Sequence, residues 1–470
     1  MGLSSEICPD NFGASRLMQI TRHMLTIPGT GPKGDRRVHY RRCGNGPPLL
    51  MVHQSPRSSA EYESLMREWG QHFTCIAPDT PGFGQSDALP DAPDINAFAD
   101  ALIETMDALG LAACPAYGFH SGGIILVTAL KRARDRFTCL AIGGYAIWTA
   151  EEMRIFGEQY LPEFHPSAYG EHLTWLWNRM LEQSWFFPWF DTRDAARLSV
   201  AHADLARVQQ AVMEMLDAGN AYRAGYGAVL RAPRDIPPPD SETPPVLISA
   251  YAGDPLQAHI DRLGAMPPNW QAVKVATPAD HHAASLAFLK EHGGAPALPA
   301  LAEDPAEGWV EAHGGLVHWR GMRGAARMVL HAPAGEMVEP GADEVAIDVP
   351  GHGLSDAAED MLGMIEAART ALGAGEIVWP ALPEGEPALL YPDLTPDRFG
   401  GHLLKAWSAA RAEAIFAPWY AASAAAARPL AEGALDPAAI AKRARARLRA
   451  GSAARDWHDI LQRRTGGTAR

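Results

Sequence analysis

Between residues 113 and 127 the chain can adopt only one local geometry. Strand-like Ala113-Cys114-Pro115-Ala116-Tyr117 runs into Gly118-Phe119-His120-Ser121-Gly122-Gly123, then directly into apolar Ile124-Ile125-Leu126-Val127. Small residues clustered between a short strand and an amphipathic helix permit a sharp turn whose central side chain projects from strained backbone. Such a unit predicts a strand buried in a parallel sheet, with the helix laid on its face. Read without a gap, Gly118 to Gly122 puts His120 at the centre of the turn and Ser121 one place beyond it.

The segments before the turn agree with that reading. Val38–Arg42 alternates like a strand and closes on Gly44-Asn45-Gly46, and Leu49–His53 is the continuous apolar run of a buried parallel strand. An amphipathic helix through Tyr62, Leu65, Met66 and Trp69 leads to a strand at Phe73–Ala77 and the turn Pro78-Asp79-Thr80-Pro81-Gly82-Phe83-Gly84-Gln85-Ser86-Asp87. A helix at Ile95–Leu109 completes an alternation that predicts a doubly covered, mostly parallel sheet. Further strands are expected at Phe137–Tyr145, Val246–Ser249 and Val273–Ala276, and a helix at Ala283–Lys290. Trp148 to about Arg231 reads as helical and aromatic-rich.

Three stretches, His53-Gln54-Ser55-Pro56, Ala77–Asp87 and Tyr117–Gly123, resemble in order and spacing the signatures of the α/β-hydrolase family. The resemblance covers roughly residues 37–292. It implies an α/β-hydrolase fold, with the helical insertion of about residues 148–235 as a cap over the site. It departs from the family at Gln54, where a glycine is usual, and at His120, where the family's nucleophile elbow usually holds serine. Carried over, the resemblance gives Asp254 the role of the triad acid and His281 that of the triad histidine. It assigns the oxyanion hole to the amides of Ser121 and of Gln54 or Ser55. The side chains of His53, Gln54 and Ser55 are expected near substrate, and His282 beside the site or in packing.

Two chemistries follow. With Ser121 as nucleophile, His281 would take its proton and Asp254 would fix the imidazole, giving an ester hydrolase. With His120 at the elbow, two histidines and a carboxylate converge, and a His120–His281 pair would share protons. That arrangement suits hydrolysis of a small carbonyl-containing substrate (an ester, a thioester or a carbon–carbon bond beside a carbonyl). A facial metal triad can be built from the same residues, but nothing else in the chain asks for an ion, so neither metal nor cofactor is expected. A non-enzymatic ligand-binding relative is the remaining reading.

After a linker rich in Ala, Pro and Gly (residues 293–307), the sequence repeats itself. Val317-His318-Trp319-Arg320 follows Val38-His39-Tyr40-Arg41 at an offset of 279, and the Asp356 turn follows that of Asp87 at 269. Ala371-Leu372-Gly373 follows Ala108-Leu109-Gly110 at 263, after which the offset drops to 230. There Pro392, Gly400, His402, Trp407, Phe416 and Trp419 match Pro162, Gly170, His172, Trp177, Phe186 and Trp189 without a gap. The lost residues include the elbow, its helix and the next strand. The domains expected are thus 15–292, the linker, and a truncated, non-catalytic repeat at 308–470 with a second cap. Cap-to-cap packing as an intramolecular pseudo-dimer, or a homo-oligomer, is its expected role.

A net charge of −14 argues against nucleic acid or anionic membrane as partners and leaves a small-molecule substrate. Lys442–Arg449 is strongly basic and reads as a solvated helix face. Residues 1–22 show no signal h-region and no apolar run is long enough to span a membrane, while five scattered cysteines suit buried thiols. A cytoplasmic protein is expected.

Overall fold

A computed structural model of the chain describes residues 19–466, apart from 30–33, 91, 200, 234–235 and 299. The expected domain start at residue 15, most of the 1–22 segment with Cys8, cap positions 200, 234 and 235, and linker residue Pro299 lie outside the described residues. The chain forms two compact units that do not follow chain order. One holds residues up to 163, 186–200 and 217–303, and the other holds 164–185, 201–216 and 304–470.

The first unit is built on an eight-stranded sheet of β1 (Thr21–Ile27), β2 (Arg36–Cys43), β3 (Pro48–Val52), β4 (Thr74–Pro78), β5 (Cys114–Phe119), β6 (Phe137–Gly143), β7 (Val246–Tyr251) and β8 (Trp270–Val275). The spatial order is β1-β2-β4-β3-β5-β6-β7-β8. β1 and β2 are antiparallel and every pairing from β4 to β8 is parallel. The sheet is the mostly parallel one expected of an α/β-hydrolase fold. Helices α1 (Glu63–Trp69), α2 (Ile95–Ala108) and α3 (Ser121–Arg132) fall within a residue or two of their expected places. Trp69, Leu49, Met51, Tyr117 and Leu289 bury one face of the sheet.

The insertion departs from its expected helicity. Helices α4 (Ala150–Ile155), α5 (Glu171–Gln183), α6 (Leu205–Ala218) and α7 (Tyr222–Leu230) are interrupted by largely irregular chain at 184–199. There the aromatic run Trp185–Phe190 makes turns closed by a Phe186–Arg197 bridge. Helix α8 (Pro278–His292) starts earlier than expected. Thr277 caps it, accepting the Asp280 N–H at 3.1 Å while Asp280 accepts the Thr277 N–H at 3.0 Å.

The second unit carries β9 (Glu307–Ala312), β10 (Gly315–Gly321), β11 (Arg327–Leu330), β12 (Glu344–Ile347) and β13 (Glu376–Val378) in the order β13-β11-β12-β10-β9. The pairing directions reproduce those of β1 to β5 one for one. The strand that would lead into an elbow therefore survives as β13. Among the described residues no helix of the α3 kind follows it: after α9 (Met361–Leu372) and β13 only the four-residue helical turn Pro387–Leu390 precedes α10 (Gly401–Glu413), α11 (Pro437–Ala450) and α12 (Ala453–Gly466).

Equivalent turns are braced alike in both sheets. His39 Nδ1 donates to Asp79 Oδ2 at 2.8 Å, and His318 Nδ1 to Asp348 Oδ2 at 2.8 Å. His53 accepts the Thr80 N–H at 2.8 Å, and His331 accepts the Val349 N–H at 2.9 Å.

Within the second unit α5 meets α10 through a reciprocal exchange. The His172 ring stands edge-on to Trp407 at 4.9 Å, and His402 stands edge-on to Trp177 at 5.0 Å. Trp177 Nε1 donates to the Arg398 carbonyl at 3.1 Å, and Trp407 Nε1 to the Ala168 carbonyl at 3.4 Å. Of the basic run, Arg447 is not solvated: it is buried and pairs with Glu413 at 2.8 Å. No helix among the described residues is long and apolar enough to cross a membrane.

Candidate active site

The sharp turn centres on His120. β5 ends at Phe119, α3 begins at Ser121, and His120 between them has φ 48° and ψ −111°, a conformation L-residues rarely hold. Gly122 is required because a Cβ there would lie 1.9 Å from the Val52 carbonyl oxygen. The gapless reading, with histidine at the elbow, describes this backbone.

His120 Nε2 lies 3.1 and 3.2 Å from the two carboxylate oxygens of Asp254. Asp254 sits in the turn after β7, its side chain wholly buried, and also accepts the Leu256 N–H at 2.8 Å. Burial pushes its carboxyl up, but the attraction it would exert on a protonated His120 ring, the hydrogen bond from His120 and the Leu256 amide hold it below the ordinary carboxylate range. An ionised carboxylate fixes the proton on Nε2 and leaves Nδ1 with its lone pair. Among the described residues no hydrogen bond reaches Nδ1.

Gly144 makes room for this pair and was not foreseen. At φ 57°, a Cβ on it would lie 2.5 Å from His120 Cδ2 and 2.8 Å from Asp254 Oδ2. The only signal in the sequence is a second glycine after a strand, which reads as an ordinary turn.

His281 is placed differently from the expectation. The early start of α8 turns it inward, fully buried, where Nε2 meets the Tyr117 hydroxyl at 2.9 Å and Nδ1 the Ser249 hydroxyl at 2.7 Å. It hydrogen-bonds to none of His120, Ser121 or Asp254, so the shared-proton pair with His120 is not formed. Burial, reinforced by the neighbouring His282, pushes its pKa down to about 4, which keeps the ring neutral. His282 is half-buried and edge-on to Trp69 at 6.4 Å.

Ser121 Oγ accepts the Ser55 N–H at 2.6 Å and donates to Ser55 Oγ at 3.2 Å. No histidine hydrogen-bonds to it. Gln54 is withdrawn from the oxyanion role, because Glu61 takes both its backbone N–H at 2.7 Å and its side-chain amide at 3.0 Å. His53 is also withdrawn from substrate. Its Nδ1 donates to the Gln54 carbonyl and its Nε2 accepts from Thr80, the bracing pattern that His331 repeats where there is no elbow. Among the described residues no group of three or more His, Cys, Asp or Glu side chains is arranged to hold a metal ion.

His120, Ser121 and Ser55 line a cavity of about 30 Å³, room for about one water molecule, walled by Trp148, Phe187 and Tyr226. Trp148, Phe187 and Pro255 also line a neighbouring cavity of about 480 Å³, together with His259 and Arg262. Neither His259 nor Trp148 stood out in the sequence, since an isolated histidine after a turn and one tryptophan among many carry no pattern.

Comparison with known proteins places these features in context. The sequence model of the alpha/beta hydrolase fold matches residues 47–163. Haloalkane dehalogenase 2 of Mycobacterium tuberculosis (strain ATCC 25618 / H37Rv) is 34% identical over 119 residues, 25% of this chain and 41% of that protein. The soluble epoxide hydrolase of Corynebacterium sp. (strain C12) is 31% identical over 107 residues, 23% of this chain and 35% of that protein. The chain thus spans about two fifths or less of the length of these curated relatives. Among solved structures, a thermophilic esterase from Thermogutta terrifontis aligns with a TM-score of 0.43 and 18% identity, over 58% of this chain and 99% of that one. With the model match, the elbow geometry and the strand order in agreement, the elbow-bearing stretch 47–163 belongs to the alpha/beta hydrolase fold family.

Proposed function

We propose that the first copy is a hydrolase of small carbonyl-containing molecules, with His120 and Asp254 as its working pair. The observation that carries this reading is the hydrogen bonding of an elbow histidine to a buried, ionised carboxylate. Asp254 holds the Nε2 proton, and Nδ1 removes a proton from water in the cavity. The hydroxide formed adds to the substrate carbonyl carbon. The oxyanion is met by the unpaired N–H groups at the start of α3, beginning with Ser121, where the helix dipole favours negative charge. His120 then returns the proton to the departing group. Ser121 and Ser55 orient water or substrate, and neutral His281 fixes Tyr117 and Ser249 beneath the elbow. The relatives with matching segments are by name a haloalkane dehalogenase and an epoxide hydrolase, and the second name supports hydrolysis without naming this substrate.

The test is turnover of p-nitrophenyl acetate and its thioester analogue by the full chain. His120→Ala is expected to lose about 10²–10⁴-fold, the usual contribution of a positioned base. Ser121→Ala is expected to stay within about tenfold of the parent, the oxyanion N–H groups being untouched. Loss in Ser121→Ala with His120→Ala unaffected would overturn the histidine mechanism.

A further inference from the structure

The cavity of about 480 Å³ beside the elbow is lined by aromatic walls and by polar groups that face one another unproductively. Ile147 N–H donates to His259 Nδ1 at 2.9 Å. His259 is buried, and that burial, with Arg262 beside it, pushes its pKa down to about 4, so the ring is neutral and carries its proton on Nε2. Nε2 lies 3.3 Å from Arg262 Nη1, which is a donor set against a donor.

Arg262 has more donors to offer. Its bonds to the Ile147 carbonyl (3.0 Å), to Glu152 (2.9 and 3.1 Å) and towards His259 all use Nη1. Among the described residues, none uses its Nε or Nη2. The indole N–H of Trp148, a residue 93% buried on the same wall, has no hydrogen-bond partner among the described residues. The other charges lining the cavity are accounted for, since Arg193 bonds Asp191 through Nε at 2.8 Å and Thr149 N–H bonds Glu152 at 2.6 Å. Buried donors without acceptors, next to a guanidinium with free N–H groups, are the complement of an anion. A carboxylate set between His259 Nε2–H and the Arg262 fork replaces a donor–donor contact by charge-assisted hydrogen bonds.

We propose that this outer cavity binds a carboxylate through Arg262 and His259. The substrate is then a small molecule whose carboxylate lies there, across aromatic surface from a reacting carbonyl at His120. The carboxylate site stands on its own geometry; only the placement of the reacting carbonyl rests on His120 as the reacting centre. Trp148, Phe187 and Pro255, common to both cavities, form the partition the substrate body crosses.

The test titrates the full chain with phenylacetate and with uncharged phenylacetamide, followed by calorimetry. The parent is expected to prefer phenylacetate by at least about tenfold, an energy of about 1.4 kcal/mol. Arg262→Gln should abolish the preference and Arg262→Lys retain part of it. Glu152→Gln, which keeps the cap on α4 and removes the competing charge, should tighten phenylacetate a few-fold. Equal binding of the two probes by the parent, or an unchanged preference in Arg262→Gln, overturns the site. So does unchanged or weakened phenylacetate binding in Glu152→Gln, which keeps the proposal decidable if the Arg262 variants fold poorly. If His120→Ala leaves ester turnover intact while phenylacetate binding still depends on Arg262, the reaction reading falls and the carboxylate site stands.

Discussion

His120 holds both oxygens of Asp254 within 3.2 Å through a single ring nitrogen, from a backbone position where φ is 48°. The carboxylate is wholly buried and the imidazole is 23% exposed, so the proton on Nε2 is locked while the rest of the ring borders the cavity. Asp254→Asn keeps the volume but loses the charge that fixes the tautomer. Ester turnover is expected to fall about 10²–10⁴-fold. A fall under tenfold, measured as kcat/KM on p-nitrophenyl acetate, would show that the carboxylate only fills space.

Gly144→Ala tests whether the pair needs its clearance. The added methyl meets the His120 ring and the Asp254 carboxylate at a positive φ that costs on the order of 1–3 kcal/mol for a non-glycine residue. Thermal melts should shift downwards and turnover should fall with them. An alanine variant of parental stability and activity would mean that the loop yields freely there.

Acid should weaken the first unit before its carboxylates titrate. His281 and His259 are each held down to about 4 by burial, below the ordinary imidazole value of 6.5. Between those values the unfolded chain binds more protons than the folded one, so stability is full above about pH 6.5 and declines as pH falls towards 4. Asp254 and Asp79, depressed below 3.8, add stability that is lost only at still lower pH. Urea denaturation at pH 7.5, 5.5 and 4.5 should give midpoints that fall in that order. A flat profile down to pH 4.5 contradicts the buried neutral histidines.

The exchange between α5 and α10 should be measurable as coupling. Trp177 and Trp407 are 0% and 1% exposed, so each truncation to alanine is expected to cost about 3–5 kcal/mol. A double-mutant cycle on Trp177 and His402 should return about 0.5–1.5 kcal/mol of interaction, as edge-on aromatic pairs do. The mirrored cycle on Trp407 and His172 should return a similar value, and strongly unequal couplings would refute the equivalence of the two halves.

Much of this was legible because it is local. The gapless spacing of Gly118 and Gly122 placed His120, and apolar runs located the strands of the first sheet from β2 to β8, while the edge strand β1 (Thr21–Ile27) carried no such signal. What escaped depends on contacts between distant residues. Thr277-Pro278-Ala279-Asp280 carries a capping box that starts the helix ahead of His281, and the ring is turned towards Tyr117. Glu61 takes the Gln54 amide from seven residues further along the chain, a bond no motif announces. The parallel between His53 and His331 was hidden because the loops after them differ, though their hydrogen bonds coincide.

The exchange of His172, Trp177, His402 and Trp407 within one polypeptide also bears on dilution. Two separate chains meeting through such an interface would part as their concentration falls. Here both faces belong to one covalent chain, so each meets the other whatever the amount of protein. The helices α5 and α6, which the sequence assigned to the cap, are thereby kept with a permanent partner even where the protein is scarce.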